Sequence, residues 1–154
     1  MINLPYVDDV SAIARRLSIS VLLVGGAVRD LLLDKTPSDL DFAVAGSINS
    51  GTAIKLARAC ANALDAGLFV MDVERGVARV TKPLAEGRLI MDFAQSRGNS
   101  WQDDLSERDF TINAIGYDLD QREFVDPHDG RADLSARRLR LVHPGAIAAD
   151  PVRA

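Results

Sequence analysis

Apolar residues recur at helical spacing near the start of the chain. In "VDDVSAIARRL" (7–17), Val7, Val10, Ile13, Ala14 and Leu17 share one side. Acids fill the first turn and arginines the last, so the stretch predicts a helix. "SVLLV" (20–24) is a short continuous apolar run that predicts a buried strand. "GGAVRDLLL" (25–33) turns into a helix, "KTPSD" is a polar, proline-containing break, and "LDFAVA" (40–45) is the next strand. "NSGTAIKLARACANAL" (49–64) predicts an amphipathic helix with Ile54, Leu56, Ala57, Cys60, Ala61 and Leu64 inward. Three strands in a meander follow, "LFVMDVE", "GVARVTK" and "GRLIMDFAQ", with turns at Arg75-Gly76 and Glu86-Gly87.

The pattern then weakens. "SRGNSWQDDLSERD" (96–109) is polar and reads as an exposed, mobile loop. "FTINAIGYDL" reads as a helical turn entering a strand, and "QREFVDP" as the return of a hairpin. "DGRADLSARR" predicts a short helix and "LRLV" (139–142) a strand. The sum is an α+β fold: a small mixed β-sheet flanked by helices, with short connections and no repeats.

A chain of 154 residues suffices for one domain with a real core. Its net charge of −4 argues against a surface that is basic all over, although Arg137, Arg138 and Arg140 cluster. Those arginines either meet RNA phosphate or solvate a helix end. Cys60 is the single cysteine, so no internal disulfide forms. The N-terminus lacks a signal pattern and no apolar run reaches the ~20 residues of a membrane span. The expectation is a soluble, cytoplasmic protein that binds no membrane.

The sharpest chemical feature is Asp39-Leu40-Asp41. On a strand, residues i and i+2 share a face, so the two carboxylates stand ~6.6 Å apart with Leu40 and Phe42 behind them. At an effective dielectric near 20 they repel by roughly 2–3 kcal/mol. A divalent cation reverses that sign, and Mg²⁺ takes oxygen ligands, often one or two carboxylates plus substrate phosphates. The triplet alone is common by chance. Asp118-Leu119-Asp120 is a second copy, placed where a hairpin turn would solvate it, and reads as structural. Context separates them. Gly25-Gly26 opens a helix where backbone N–H groups can approach an anion, and Arg29 one turn on can grip a phosphate.

A third carboxylate would complete a two-metal site, in which one metal activates an attacking hydroxyl and the other holds a triphosphate. Asp92 in "RLIMDFAQSR" is a charge inside an apolar run; Asp72 in "FVMDVE" competes with it, and the pattern does not choose. Elsewhere, His128 and His143 have no metal-ligand spacing, and His128 reads as a loop residue. Trp101 reads first as an anchor of its loop and only second as a stacking surface for a base.

The stretch "GGAVRDLLLDKTPSDLD" from Gly25 to Asp41 resembles the signature of class II tRNA nucleotidyltransferases and the related bacterial poly(A) polymerases. "RDFTINAIGYDL" (108–119) resembles their second motif, and "DPHDGRADLSARRLRLVHP" (126–144) the segment that closes their catalytic head. The resemblance implies a polymerase-β-like head over residues 1–149, with "DPVRA" (150–154) starting the link to a helical neck that chooses the base. It implies template-independent nucleotidyl transfer from an NTP such as ATP or CTP to an RNA 3′ end, tRNA above all, with Mg²⁺ or Mn²⁺. Asp39 and Asp41 would bind metal. Asp92 matches the third acidic position, followed by an arginine represented by Arg97. Gly25, Gly26, Arg29 and Asp30 would shape the triphosphate pocket, and Arg108, Asp109 and Asn113 would face the nucleotide, Asp109 taking a ribose hydroxyl. By local rules "RDFTINA" is also a helix start with Asp109 or Thr111 as cap. Relatives often carry an arginine where Glu107 stands here. The alternatives are a poly(A) polymerase of the same family and, in another class, a non-catalytic head that only binds nucleotide or RNA. Oligomeric state is left open.

Overall fold

The computed structural model describes residues 2–47 and 49–149. The predicted link at 150–154 lies outside the described residues. The order is α1 (Val7–Arg16), β1 (Val21–Val24), α2 (Gly26–Leu32), β2 (Asp39–Val44), α3 (Thr52–Ala63), β3 (Gly67–Asp72), β4 (Val77–Pro83), β5 (Arg88–Gln95), α4 (Trp101–Ser106), a 3-10 turn (Thr111–Asn113), β6 (Gly116–Asp118), β7 (Glu123–Val125), α5 (Gly130–Ser135) and α6 (Ala146–Ala149). The strands form one sheet in the order β3-β4-β5-β2-β1-β6-β7. All neighbours are antiparallel except β2 and β5. α3 and the β3–β4 hairpin carry the chain back between that parallel pair. The expected mixed sheet with flanking helices is what forms.

Alternation decides the faces. Leu40, Phe42, Met91 and Phe93 are buried in the main core, which α1 and α3 cover with Val10, Ile13, Leu56 and Cys60. Phe42 and Phe93 are register partners, and their rings stack at 5.0 Å. Slipping this pair by one residue would drive Asp41 and Asp92, which precede Phe42 and Phe93, into the core, so hydrophobic packing fixes the register of the polar face. A smaller cluster of Leu22, Val24, Ala43, Leu105 and Ala114, with Trp101 against it, covers the β1–β2 end of the opposite face.

Two expectations need correction. The polar stretch 96–109 holds a helix, α4, and is no simple loop. The Ser100 hydroxyl accepts from the Asp103 N–H at its start, and Asp104 and Leu105 are buried. "LRLV" is not a strand: among the described residues its β-pairing is a single bridge, Leu141 to Phe110. The Thr111 and Val142 N–H groups bond the Arg140 and Asp109 carbonyls around it, while the Arg140 guanidinium is drawn to Asp133. That anchoring fixes the segment beside the 109–111 connector, where Val142 packs on the smaller cluster instead of pairing with a sheet edge. Among the described residues no helix is long and apolar enough to cross a membrane.

Candidate active site

The parallel pairing of β2 with β5 creates the site. Asp41 and Asp92 are direct register partners, and Asp39 lies two residues before Asp41 on the same face. The opposite sides of these strands are filled by Leu40, Met91, Phe42 and Phe93. Of the two rivals for a third carboxylate, Asp92 therefore joins the pair. Asp72 instead ends the edge strand and accepts from the Arg75 N–H at 3.0 Å.

The carboxylates are electrostatically crowded. The Asp41 carboxyl is pushed above its ordinary value by desolvation first, then by Asp92, with Asp39 adding to it; Arg108 and Arg79 oppose the shift. Among the described residues neither Asp39 nor Asp41 accepts a protein hydrogen bond. Asp92 is held differently. Its two oxygens take the Nε and Nη2 of Arg79 at 2.8 and 2.9 Å, a bidentate pair between register partners of β4 and β5. Arg79 was not singled out by the sequence pattern. Its signal was a lone charge at an outward position of an apolar strand, the same signal that marked Asp92.

Beside the carboxylates a cleft of about 290 Å³ is lined by Gly25, Gly26, Arg29, Arg97, Arg108, Asp109 and Asn113. Most of the residues expected around a nucleotide thus converge, and Arg97 with them. Gly25 has φ 71° and ψ −143°, a conformation open to glycine. A Cβ there would sit 3.5 Å from Asp41 Oδ2 and 3.8 Å from Arg108 Nη1, in the gap between carboxylate and arginine. Arg29 is held by a chain of contacts. Its Nε and Nη2 reach Asp30 Oδ1, and its Nη1 donates to Asn113 Oδ1 at 3.0 Å. Asn113 Nδ2 in turn donates to Asp109 Oδ1 at 3.4 Å. Asp30 stands behind Arg29 and does not line the cleft. Arg108 pairs with the buried Asp104 at 3.0 Å, and its Nε is buried without a hydrogen-bond partner among the described residues. The Arg97 N–H is fixed by the same Asp104. α4, hidden in the polar stretch, therefore orients two of the three cleft arginines.

The cap expectation for "RDFTINA" fails. Phe110 precedes the 3-10 turn without a side-chain cap, Asp109 accepts from the neighbouring Phe110 N–H, and Thr111 donates to Asp133 at 2.6 Å. Trp101 is an anchor, as its first reading had it: Nε1 donates to Asp118 at 2.9 Å. Two of the clustered arginines have structural work, since Arg140 and Arg138 pair with Asp133 at 2.8 and 3.8 Å. The Thr111 hydroxyl, then Arg140, holds the Asp133 carboxyl below its usual range. His128 is a loop residue whose ring meets the Ser106 hydroxyl. Cys60 is buried, its thiol pushed up to about 12 by desolvation.

The donor set suits a hard cation: carboxylate oxygens on one face, in mutual repulsion, with no protein donor on Asp39 or Asp41. Among the described residues no cluster of three or more His, Cys, Asp or Glu side chains is arrayed as metal ligands. The fit is to a pair, with Asp92 turned to Arg79. A larger cavity of about 520 Å³ lies at the far end of β2, lined by Ser20, Gly46, Ser96, Trp101 and other uncharged residues. With no ionisable lining it offers a triphosphate nothing to balance its charge.

Residues 21–140 match the Poly A polymerase head domain. The chain is 44% identical over 131 residues to a CC-adding tRNA nucleotidyltransferase of Synechocystis sp., covering 85% of this chain and 30% of that protein. It is 41% identical over 132 residues to an A-adding tRNA nucleotidyltransferase of Deinococcus radiodurans, covering 86% and 28%. A solved structure of a CCA-adding enzyme with ATP superposes with a TM-score of 0.82 at 30% identity, covering 96% of this chain and 35% of that one. The chain spans about a third or less of the length of the curated relatives it matches. The carboxylates on paired strands and the arginine-lined cleft fall inside the matched region, and the chain belongs to the Poly A polymerase head domain family.

Proposed function

We propose that this chain is the catalytic head of an RNA nucleotidyltransferase that moves a nucleoside monophosphate from an NTP to an RNA 3′ end, tRNA first among acceptors. The observation that carries the reading is the in-register Asp41–Asp92 pair, with Asp39 on the same face, beside a cleft lined by three arginines. The relatives divide between CC addition and A addition, and the reaction they share by name is the one assigned here. Residues 1–149 form the head, 150–154 begin the link to a neck, and the reaction is cytoplasmic.

Arg29, Arg97 and Arg108 bind the triphosphate, with Gly25 leaving room between Asp41 and Arg108. Asp109 and Asn113 meet the ribose, which favours NTP over dNTP. Asp39 and Asp41 would hold Mg²⁺ or Mn²⁺. When bound, the metal neutralises the carboxylates, acidifies the attacking hydroxyl and stabilises the charge that grows on the leaving pyrophosphate. Asp92, held in place by the Arg79 guanidinium, faces the place where the RNA 3′-hydroxyl must approach. The hydroxyl oxygen bonds to the α-phosphorus, the bond to the β-phosphate oxygen breaks, and the hydroxyl proton leaves toward the carboxylates.

Titration calorimetry with ATP and CTP tests this. The expected result is binding that needs Mg²⁺, is abolished by EDTA and by Asp39→Ala/Asp41→Ala, and is weaker for the dNTPs. Binding indifferent to metal and to both aspartates would overturn the assignment of the site.

A further inference from the structure

The face that carries the carboxylates is only half covered. Over β1 and β2 it is roofed by Leu105, Ala114 and Trp101. Over β3, β4 and β5 the outward side chains are open. Val77, Arg79, Thr81, Ile90, Asp92 and Ala94 are half-exposed. On the edge strand Phe69 is 67% exposed and Met71 48%, and Val73 just beyond it is 74% exposed. α3 contacts these same strands, and their inward residues Ala78, Val80, Met91 and Phe93 belong to the core on its side. A one-sided antiparallel sheet normally turns polar residues to water. An exposed apolar row on an edge strand is a liability that proteins keep when something covers it.

The row is aligned with the chemistry. Phe69 pairs in register with Arg79, Arg79 with Asp92, and Asp92 with Asp41, so the four occupy one line across the sheet. Strands are spaced by about 4.8 Å, which puts Phe69 roughly 10 Å from Asp92 and roughly 14 Å from Asp41. Bases of a stacked strand rise about 3.4 Å each. A strand that runs along this row with its 3′-hydroxyl at Asp41 and Asp92 brings the bases just before its terminus over Arg79 and Phe69. Aromatic faces accept any base, a thioether adapts to ring edges, and a planar guanidinium stacks on either. At the outer end of the row Arg75, largely exposed beside Asp72, offers a cation to the phosphodiester backbone.

Resting on the function proposed above, we infer that Phe69 and Met71 form a stacking ledge for the nucleotides that precede the reacting RNA terminus. A ledge that does not read base edges suits an acceptor end whose last bases change with every addition. Phe69 and Met71 act as positioning residues: they hold the strand, and the carboxylates hold the reacting atoms.

The test uses this chain with Mg²⁺ and a short oligoribonucleotide carrying 2-aminopurine next to its 3′-terminal cytidine. Binding to the parent chain is expected to quench the probe. In Phe69→Ala/Met71→Ala the quench should disappear and RNA affinity fall by about tenfold or more, the scale of lost base stacking. MgATP affinity should stay within about twofold in that variant, since the NTP cleft is untouched, and Phe69→Trp should retain the quench. Both substituted side chains are exposed, so folding is not at risk. Unchanged quench and affinity in the double variant, or no quench with the parent chain, overturns the ledge. If MgATP binding to the parent ignores Asp39 and Asp41, it is the functional reading that fails. If sedimentation shows a dimer of the parent chain that the double variant dissociates, the row is a contact between copies and the inference falls.

Discussion

The chain contains the same triplet twice and uses it in opposite ways. In Asp118-Leu119-Asp120 the first carboxylate is buried and saturated: it accepts from the N–H groups of Asp120 and Gln121 and from Trp101 Nε1, at 2.8, 3.1 and 2.9 Å. It closes the β6–β7 turn and pins α4 to it. In Asp39-Leu40-Asp41 neither carboxylate takes a protein hydrogen bond among the described residues, and both face carboxylate neighbours. The middle leucines are alike, 2% and 3% exposed. The difference lies in what the backbone around each triplet supplies. A turn offers unpaired N–H groups to a carboxylate, whereas a central strand spends its own on the ladder. An acid pair on a central strand stays unsatisfied unless something from outside the chain completes it.

The comparison can be broken most forcefully at its common element. Leu40→Ala and Leu119→Ala should each cost about 2–5 kcal/mol in urea unfolding, because each empties a packed position. If only one is costly, the two triplets are not built on equivalent foundations. Asp118→Ala comes next and should cost about 1–3 kcal/mol, since it strands donors that one carboxylate now satisfies. Loss of the Trp101 contact should appear as a shifted tryptophan emission. Asp41→Asn has the opposite sign and the smallest size. It should raise stability by about 1 kcal/mol near neutral pH in EDTA, the usual gain when a functional strain is relieved. The pH dependence follows from the direction of the shift. A carboxyl whose folded value is raised contributes most when protonated, and that contribution is lost as pH rises through the folded value. The advantage of Asp41→Asn should therefore vanish below the ordinary aspartate value of 3.8 and grow above it. Thermal melts across that range, parent against variant, would show a pH-independent difference if the crowding argument is wrong.

Most elements were legible because their patterns are strongly periodic: the amphipathic helix at 7–17, the meander at 68–95 and the strand carrying Asp39 and Asp41. Asp92 could be suspected from its apolar surroundings but not assigned, because a parallel pairing leaves no local mark in the sequence. Arg79 was missed for a related reason. An arginine in a strand reads as solvent-facing until the register across the Glu86-Gly87 turn sets it against Asp92. α4 was missed because its buried face is one acid and one leucine, Asp104 and Leu105, in a polar stretch. The Ser100 and Asp103 spacing was the available cue. "LRLV" misled in the other direction, since alternation predicts a strand only where a partner edge is within reach.

The lone parallel pairing also governs when the site can exist. Asp39 and Asp41 leave the ribosome well before Asp92, with α3 and the β3–β4 hairpin still to be made in between. Domains of this size close their long-range pairings late, because loop-closure entropy must be met first. The early part of the chain can collapse around β1, α2 and β2 while its acid pair is still without its neighbour across the parallel ladder. Assembly of Asp41 against Asp92 thus waits for β5, and a nascent or truncated polypeptide ending before β5 carries the acid pair without its neighbour across the ladder.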